Sequence, residues 1–275
     1  MVTLVNILRK RLISLAIVLF GVTVLSFLLA NLSLVDPAEA YARQHLLHPT
    51  AEQIDKIRTE LGLDRPIYQQ YFFWLGNSLT GDLGTSYLTR NPVTADIAKK
   101  LPLTLLLVGM SMLWVIGLTL PLGMLSALKK NSLFDHVVRG FTILGNSLPN
   151  FWLGFLFLLL FAVTIPVIRV VDYGNLKSLI LPSLVLAIPV ASLSIRLFRA
   201  TLLSNLAQDY VIYAKARGIA KRRILWVHVL RNSLPPLVML FFQYIGHMIA
   251  GSAIVESIFF LAGHRHSLSG SDYGP

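Results

Sequence analysis

Cysteine is absent from the 275-residue sequence, and charged residues make up only 13% of it. Without cysteine the chain has no disulfide framework, no thiolate metal site and no cysteine nucleophile. A soluble domain carries about 25% charged residues, so the low charge argues against a soluble globular protein. Hydrophobic residues make up 55% of the chain, which excludes intrinsic disorder because disorder requires low hydrophobicity.

Long apolar runs are the dominant feature that is present. A helix needs about 20 apolar residues to cross a bilayer. Five stretches without Asp, Glu, Lys or Arg reach or approach this length: Leu12–Val35, Leu101–Leu128, Gly140–Ile168, Ser178–Ile195 and Asn232–Val255. Helices are expected, because backbone groups in lipid must bond within their own segment and the runs lack the alternation of barrel strands. The first run is longer than the apolar core of a signal peptide, so it is predicted to be a retained span.

The basic residues predict the orientation of these spans. They cluster before the first span, between the second and third, and between the fourth and fifth, which places the N-terminus and these loops in the cytoplasm. The segment 36–100 has balanced charges and is predicted to be an external helical cap, with Thr50 capping one helix and Gly62 ending it. The net charge of +11 then indicates loops beside anionic lipid rather than a nucleic-acid surface.

The predicted organisation is therefore an N-terminal span, an external segment, a transmembrane core and a tail. Their predicted bounds are 1–35, 36–100, 101–263 and 264–275, with core spans near 101–128, 140–168, 178–198 and 232–256 and a cytoplasmic loop at 199–231.

The cytoplasmic loop carries the most specific pattern. Tyr210, Tyr213, Ala214 and Arg217 follow the spacing of one helical stripe, and Gly218 is a natural helix stop. A basic cluster that includes Arg222 comes next and opens a second amphipathic helix. From spacing alone, two interpretations stay equally open: a docking element for a partner protein, or an interfacial loop resting on anionic headgroups.

At this loop the chain resembles the permease subunits of bacterial ABC importers. Ala214 and Gly218 match positions of the coupling loop of that family, although Ile212 and Tyr213 stand where the motif has glutamate and alanine. Further strings resemble the dipeptide, oligopeptide and nickel branch: LGLDRPIYQQYFFWL, GDLGTSY, LPNFWLG and HVLRNSLPP. The resemblance implies the all-α transmembrane domain of a type I ABC importer. It also implies a second homologous permease, two ATPase subunits, a soluble substrate-binding protein and a location in the bacterial inner membrane.

The resemblance also assigns expected roles. The loop residues Tyr210, Tyr213, Ala214, Arg217, Gly218 and Arg222 are expected to couple to the ATPase. A side chain at Gly218 is expected to obstruct the turn or the approach to the ATPase. No glycine-lysine phosphate loop is present, so ATP and Mg²⁺ are expected in the partner ATPases and no cofactor is expected in this chain.

The C-terminal region departs from the family pattern. The family continues after the fifth span with a Pro-Gly turn and a sixth span, whereas this chain continues with HRHSLSGSDYGP. A truncated sequence is the first explanation and a genuine five-span subunit the second. Five spans with an internal N-terminus would leave the C-terminus outside, and weak assembly with the partner subunits is expected.

Four residues near or within spans are candidates for the pathway or its gate. Arg196 and Arg199 end the fourth predicted span, where snorkelling to the interface is the simpler alternative to a gate role. Glu256 ends the fifth predicted span, as a wet interfacial carboxylate or as a contact at the entrance. His247 lies within that span beside the small pair Gly246 and Ala250, and a hydrogen bond to another helix is favoured over a pathway role.

Metal sites and enzymatic sites are not predicted. The pairs His45/His48 and His264/His266 lack a third ligand and are expected to be surface histidines. A membrane-embedded transferase is the alternative function class, but it would need acids or histidines clustered at one membrane face. Resemblance of the PNFWL string and the external segment slightly favours nickel or metal-chelate cargo over short peptides.

Overall fold

The structure is a computed structural model that describes residues 2–32, 36–46, 48–86, 89, 91–164 and 176–268. Every named element within these ranges is helical, as the hydropathy pattern predicts. The chain divides into two compact units, residues 1–100 and residues 101–275. Four helices of the described part are long and apolar enough to cross a membrane, and the number rises to five if one bent pair counts as a single span.

The first unit contains one long apolar helix and three short ones. These are α1 (Val2–Asn31), α2 (Pro37–His45), α3 (Ala51–Glu60) and α4 (Ile67–Leu79). Tyr71 of α4 is buried, and its hydroxyl lies 2.9 Å from Thr23 Oγ1 of α1. Phe27 of α1 packs against the rings of Tyr71 and Trp74, with centroid distances of 5.4 and 5.8 Å. Aromatic packing therefore holds α4 against the C-terminal half of α1.

Local capping residues set the ends of α3, as the sequence predicts. Thr50 and Gln53 form a capping box: Gln53 Oε1 accepts from the backbone N–H of Thr50, and Thr50 Oγ1 accepts from the backbone N–H of Gln53. Gly62 follows the last turn with φ +67°, a conformation that glycine adopts without strain. Asp36 caps α2 and also pairs with Arg58 of α3 at 2.5 Å, so one carboxylate joins the two helices.

The second unit is organised around one buried helix. Its first helix is α5 (Val93–Leu128), of which residues 101–128 belong to this unit. The others are α6 (Leu133–Ser147), α7 (Asn150–Leu158), α8 (Ile180–Leu206), α9 (Asp209–Ala216), α10 (Lys221–Arg223) and α11 (Leu230–Leu268). The most apolar window of α8 is 67% buried, against 28% for α5 and 17% for α11. The other helices of the core thus pack around α8.

Small residues allow two helices to approach α8 closely. A Cβ placed on Gly123 of α5 would lie 2.8 Å from the ring of Phe198. A Cβ placed on Gly145 of α6 would overlap Ser192 Oγ and lie 3.0 Å from Ile188. Atoms in packed interiors do not come this close, so these two contacts require glycine.

The third predicted span is not a single straight helix, which corrects the prediction for 140–168. Helices α6 and α7 meet at an angle of 106°. Leu148 has an extended backbone with ψ 130° and precedes Pro149, which disfavours the helical conformation of its neighbour. A helical segment of π type, Leu159–Thr164, extends α7, and residues 165–168 lie outside the described residues.

The fifth predicted span begins earlier than its apolar run. The basic residues of α10, a π-helical segment Ile224–Val229 and α11 form one continuous apolar helix over Lys221–Phe259. The second amphipathic helix predicted for the cytoplasmic loop is therefore the start of the span. The helix continues to Leu268, while residues 269–275 of the predicted tail lie outside the described residues.

Candidate functional site

The helix α9 and the turn after it form the candidate site. At the end of α9, Gly218 N–H donates to Lys215 O at 3.0 Å and Ile219 N–H donates to Ala214 O at 3.1 Å. These two bonds, with φ +75° at Gly218, form a Schellman turn. The prediction that Gly218 ends the helix is confirmed. The predicted obstruction of the turn is wrong for the chain itself, because no heavy atom lies within 4 Å of a Cβ placed there.

The two faces of α9 differ from the predicted stripe. Val211 and Ala214 are buried against α8 and the start of the last span, and Tyr210 is half-buried beside them. Ile212 is 58% exposed and Tyr213 is 71% exposed. The predicted stripe therefore mixes both faces: Ala214 belongs to the base of the helix, whereas Tyr213 and the exposed Arg217 point away from it.

A polar network braces α9 on both flanking spans. Tyr210 Oη donates to Asn205 Oδ1 at 3.4 Å, and Asn205 Nδ2 donates to Ser233 Oγ at 3.0 Å. Asn205 lies in the last turn of α8, while Ser233 is a buried residue of α11. Movement of α9 is thus linked to the two helices on either side of it in the chain.

A buried ion pair fixes α8 to the preceding helices. Arg199 Nε and Nη2 donate to the two carboxylate oxygens of Asp135 at 2.7 Å each. Asp135 is fully buried and also accepts from Ser126 Oγ and, at 2.9 Å, from the backbone N–H of Asn131. This cluster of Asp135, Arg199, Ser126 and the Asn131 amide joins α5, α6 and α8.

The cluster corrects the interpretation of Arg199 as a snorkelling anchor. Its side chain is 17% exposed and is held by a bidentate carboxylate, and α8 continues past it to Leu206. Arg196, in contrast, is exposed. Sequence reasoning missed Asp135, although an available signal was the Ser132-x-x-Asp135 spacing, in which Ser132 Oγ accepts from Asp135 N–H at 3.3 Å.

The basic residues after the turn are solvent-accessible. Arg222 is exposed together with Lys221 and Arg223, and with Ala220 and Trp226 it borders an open depression. Trp226 is 50% exposed. This surface suits either an anionic headgroup layer or an acidic protein surface, the two partners predicted for the basic cluster.

Two of the candidate path residues lie within the last span. Glu256 is half-buried and accepts a hydrogen bond of 2.8 Å from Thr104 Oγ1, which connects α11 to α5. His247 is exposed, and its ring packs edge-on against Tyr244 of its own helix at 5.6 Å. The predicted hydrogen bond from His247 to another helix is not seen in the part of the chain that the structure describes.

The neighbourhood of His247 is open on one side and polar on the other. No heavy atom lies within 4 Å of a Cβ placed on Gly246. His247 and Tyr244 line a cavity of about 120 Å³ with Asn146 and Asn150. The described residues include no group of three or more His, Asp or Glu side chains placed to hold a metal. The side chains of His45, His264 and His266 lie outside the described part.

Comparison with known proteins identifies the family. Residues 119–274 match the family model described as the binding-protein-dependent transport system inner membrane component. Residues 4–108 match the model for the N-terminal part of such membrane components. The chain is also similar to named permeases along most of its length.

The glutathione transport system permease protein GsiC of Escherichia coli O6:H1 (strain CFT073) is 34% identical over 93% of this chain and 83% of that protein. The di/tripeptide transport system permease protein DppB of Pseudomonas aeruginosa (strain UCBPP-PA14) is 35% identical over 87% of this chain and 79% of that protein. Together with the helical spans, these matches make the chain a multi-pass transport subunit rather than an enzyme. The chain belongs to the family of inner membrane components of binding-protein-dependent transport systems.

Proposed function

We propose that this chain is one of two permease subunits of an ATP-driven importer and forms half of a path for short peptides across the inner membrane. The observation that carries the proposal is α9, a helix with one exposed face that ends in a strain-free glycine turn. It is hydrogen-bonded to α8, which is in turn bonded to α11, and its buried face packs against the start of the last span. A helix so placed receives force from a partner and passes it to the membrane helices.

The partner of α9 is an ATPase subunit. Ile212 and Tyr213 present an apolar surface away from the buried base of the helix, and such exposed apolar patches mark protein contacts. Arg217 and Arg222 add positive charge beside it. ATP and Mg²⁺ are bound by two ATPase chains, while a soluble binding protein delivers the cargo and a second homologous permease completes the path.

Short peptides are the cargo class that the relatives favour. The names of GsiC and DppB specify glutathione and di/tripeptides. The slight preference for nickel or a metal chelate, derived from the PNFWL string, stays a prediction without such support. We assign His247 and Glu256, two polar residues of the last span, to the path. Polar side chains among apolar ones suit a peptide, which has polar main-chain groups and mixed side chains.

The proposed topology has the N-terminus in the cytoplasm. The basic turn between α5 and α6 and the α9 region then lie on the cytoplasmic side, and the first unit's short helices lie outside. Arg196 is exposed in the C-terminal half of α8, which is the cytoplasmic half in this topology. A role at the inner gate is the alternative there to an interfacial anchor.

Uptake by the purified complex tests the proposal. Proteoliposomes containing this chain, its partner permease and the ATPases, supplied with the cognate binding protein, should import a labelled tripeptide only when ATP is enclosed. Nickel uptake is measured in the same vesicles. Import of nickel without import of any tripeptide would overturn the peptide assignment. Equal uptake with and without enclosed ATP by an assembled complex would overturn the assignment as an ATP-driven importer.

A further inference from the structure

The bend between α6 and α7 borders a small polar cavity. Asn146 precedes the bend, Asn150 follows it, and Tyr244 and His247 face the cavity from α11. The remaining wall is apolar and comes from α8 and Met248. The cavity holds about 120 Å³, which equals the liquid volume of about four water molecules and suits one small polar group.

Both the bend and the polar side chains lie in helices of membrane-spanning character. Irregular backbone at membrane depth is tolerated only where it is buried in protein or lines a cavity that admits water. Polar side chains in such helices are costly and mark substrate paths by default. Broken helices border the substrate sites of many transporters for the same reason. The position of the cavity therefore points to a ligand rather than to packing.

The chemistry of the lining defines the ligand. None of the described residues that line the cavity is Asp, Glu, Lys or Arg, so no fixed charge selects an ion. The two carboxamides each donate and accept hydrogen bonds, and the phenol and imidazole can do either. A peptide unit has the complementary pair, one N–H donor and one C=O acceptor.

We propose that this cavity binds one main-chain amide of the peptide cargo during its passage. Asn146 and Asn150 donate to the peptide carbonyl and accept from its N–H, and Tyr244 and His247 complete the contact. The inference rests on the proposed import of peptides. Recognition of the backbone alone makes the path indifferent to cargo side chains, while hydrogen bonds without an ion pair keep the cargo weakly held.

The test compares two cargoes in permease variants. The cargoes are a tripeptide and the same tripeptide with N-methylated peptide bonds, which lacks the N–H donors. The ratio of kcat/KM for the two cargoes is measured in proteoliposomes with the complete complex. The binding protein contributes equally to this ratio in every permease variant, so a change between variants reports on the permease.

The ratio of kcat/KM for the unmethylated over the methylated tripeptide should be highest in the wild-type complex. It should fall about five-fold in Asn150→Leu and in His247→Leu, the effect of one lost hydrogen bond. His247→Gln keeps hydrogen-bonding capacity and should retain the wild-type ratio. Copurification with the ATPases shows that each variant is assembled. An identical ratio in all assembled variants would overturn the inference while leaving peptide import intact. Absence of tripeptide import by the wild-type complex would instead overturn the proposed function and the inference with it.

Discussion

Gly218 is required for its backbone conformation rather than for space. Its φ of +75° costs a residue with a Cβ about 1 kcal/mol or more, and β-branched side chains fare worst. Gly218→Val should therefore lower transport and substrate-stimulated ATP hydrolysis although the protein still inserts. Asparagine tolerates this conformation, so Gly218→Asn is the matched control.

Both variants add a side chain into open space, since no atom lies within 4 Å of the Cβ position. Only the backbone strain differs between them. Gly218→Asn should keep most of the transport rate. Equal loss in both variants would mean that the ATPase approaches this position so closely that it tolerates no side chain.

The Asp135–Arg199 pair is expected to contribute strongly to the stability of the protein. Removing one partner of a buried ion pair costs about 3–5 kcal/mol, because the other charge stays buried and unpaired. Asp135→Asn should thus lower the melting temperature of the detergent-solubilised protein. Arg199→Gln added to Asp135→Asn should restore part of the loss, whereas strictly additive losses would show that the two side chains are not coupled.

Some residues of the candidate site could be predicted from the sequence and others could not. The role of Gly218 was predictable because a glycine that follows an amphipathic helical stripe commonly ends the helix. The spacing from Ser132 made Asp135 a candidate for the first turn of a helix, but its burial could not be predicted, because counting charges by loop treats an acid near a span end as a solvated flank. Its bidentate partner Arg199 lies 64 positions along the chain, and a periodicity argument contains no such long-range pair.

Two glycines of α6 differ in how closely they approach α8. A Cβ placed on Gly145 meets Ser192 and Ile188, whereas a Cβ placed on Gly140 meets nothing within 4 Å. Gly140→Ala should stabilise the protein by about 0.5–1 kcal/mol, because alanine favours the helix. Gly145→Ala should instead destabilise it by about 1–3 kcal/mol through overpacking.

Thermal unfolding of the two alanine variants in one detergent measures this difference. If both variants shift the melting temperature in the same direction by the same amount, α6 does not approach α8 as closely as the structure shows. The pair also controls for the change in helix propensity, which is identical in the two variants.

Hydropathy predicted the straight spans better than the bent span that α6 and α7 form. The apolar runs of α1, α5, α8 and α11 were found because lipid requires an uninterrupted apolar helix. The same run-length criterion joined α6 and α7, since Leu148 and Pro149 are not charged. Proline allows a kink, a helix start or a sharp bend, and only packing against α8 and α11 selects the bend of 106°.

The topology of the whole molecule can be read from labelling, because the chain contains no cysteine. Lys56 and Lys130 are exposed and neither takes part in a cap. A single cysteine at Lys56 should react with an impermeant maleimide in intact spheroplasts, whereas one at Lys130 should react only after lysis. The opposite pattern would reverse the proposed orientation of every span.

Cross-linking from α9 tests whether this helix transmits force from an ATPase to the membrane helices. In the assembled complex, a cysteine at Tyr213, which is 71% exposed, is modified with a photoactivatable maleimide and irradiated. We expect a cross-link to an ATPase subunit from Tyr213 and none from the same probe at Lys56. If the probe at Tyr213 labels only lipid in an assembled, transporting complex, α9 does not dock on the ATPase.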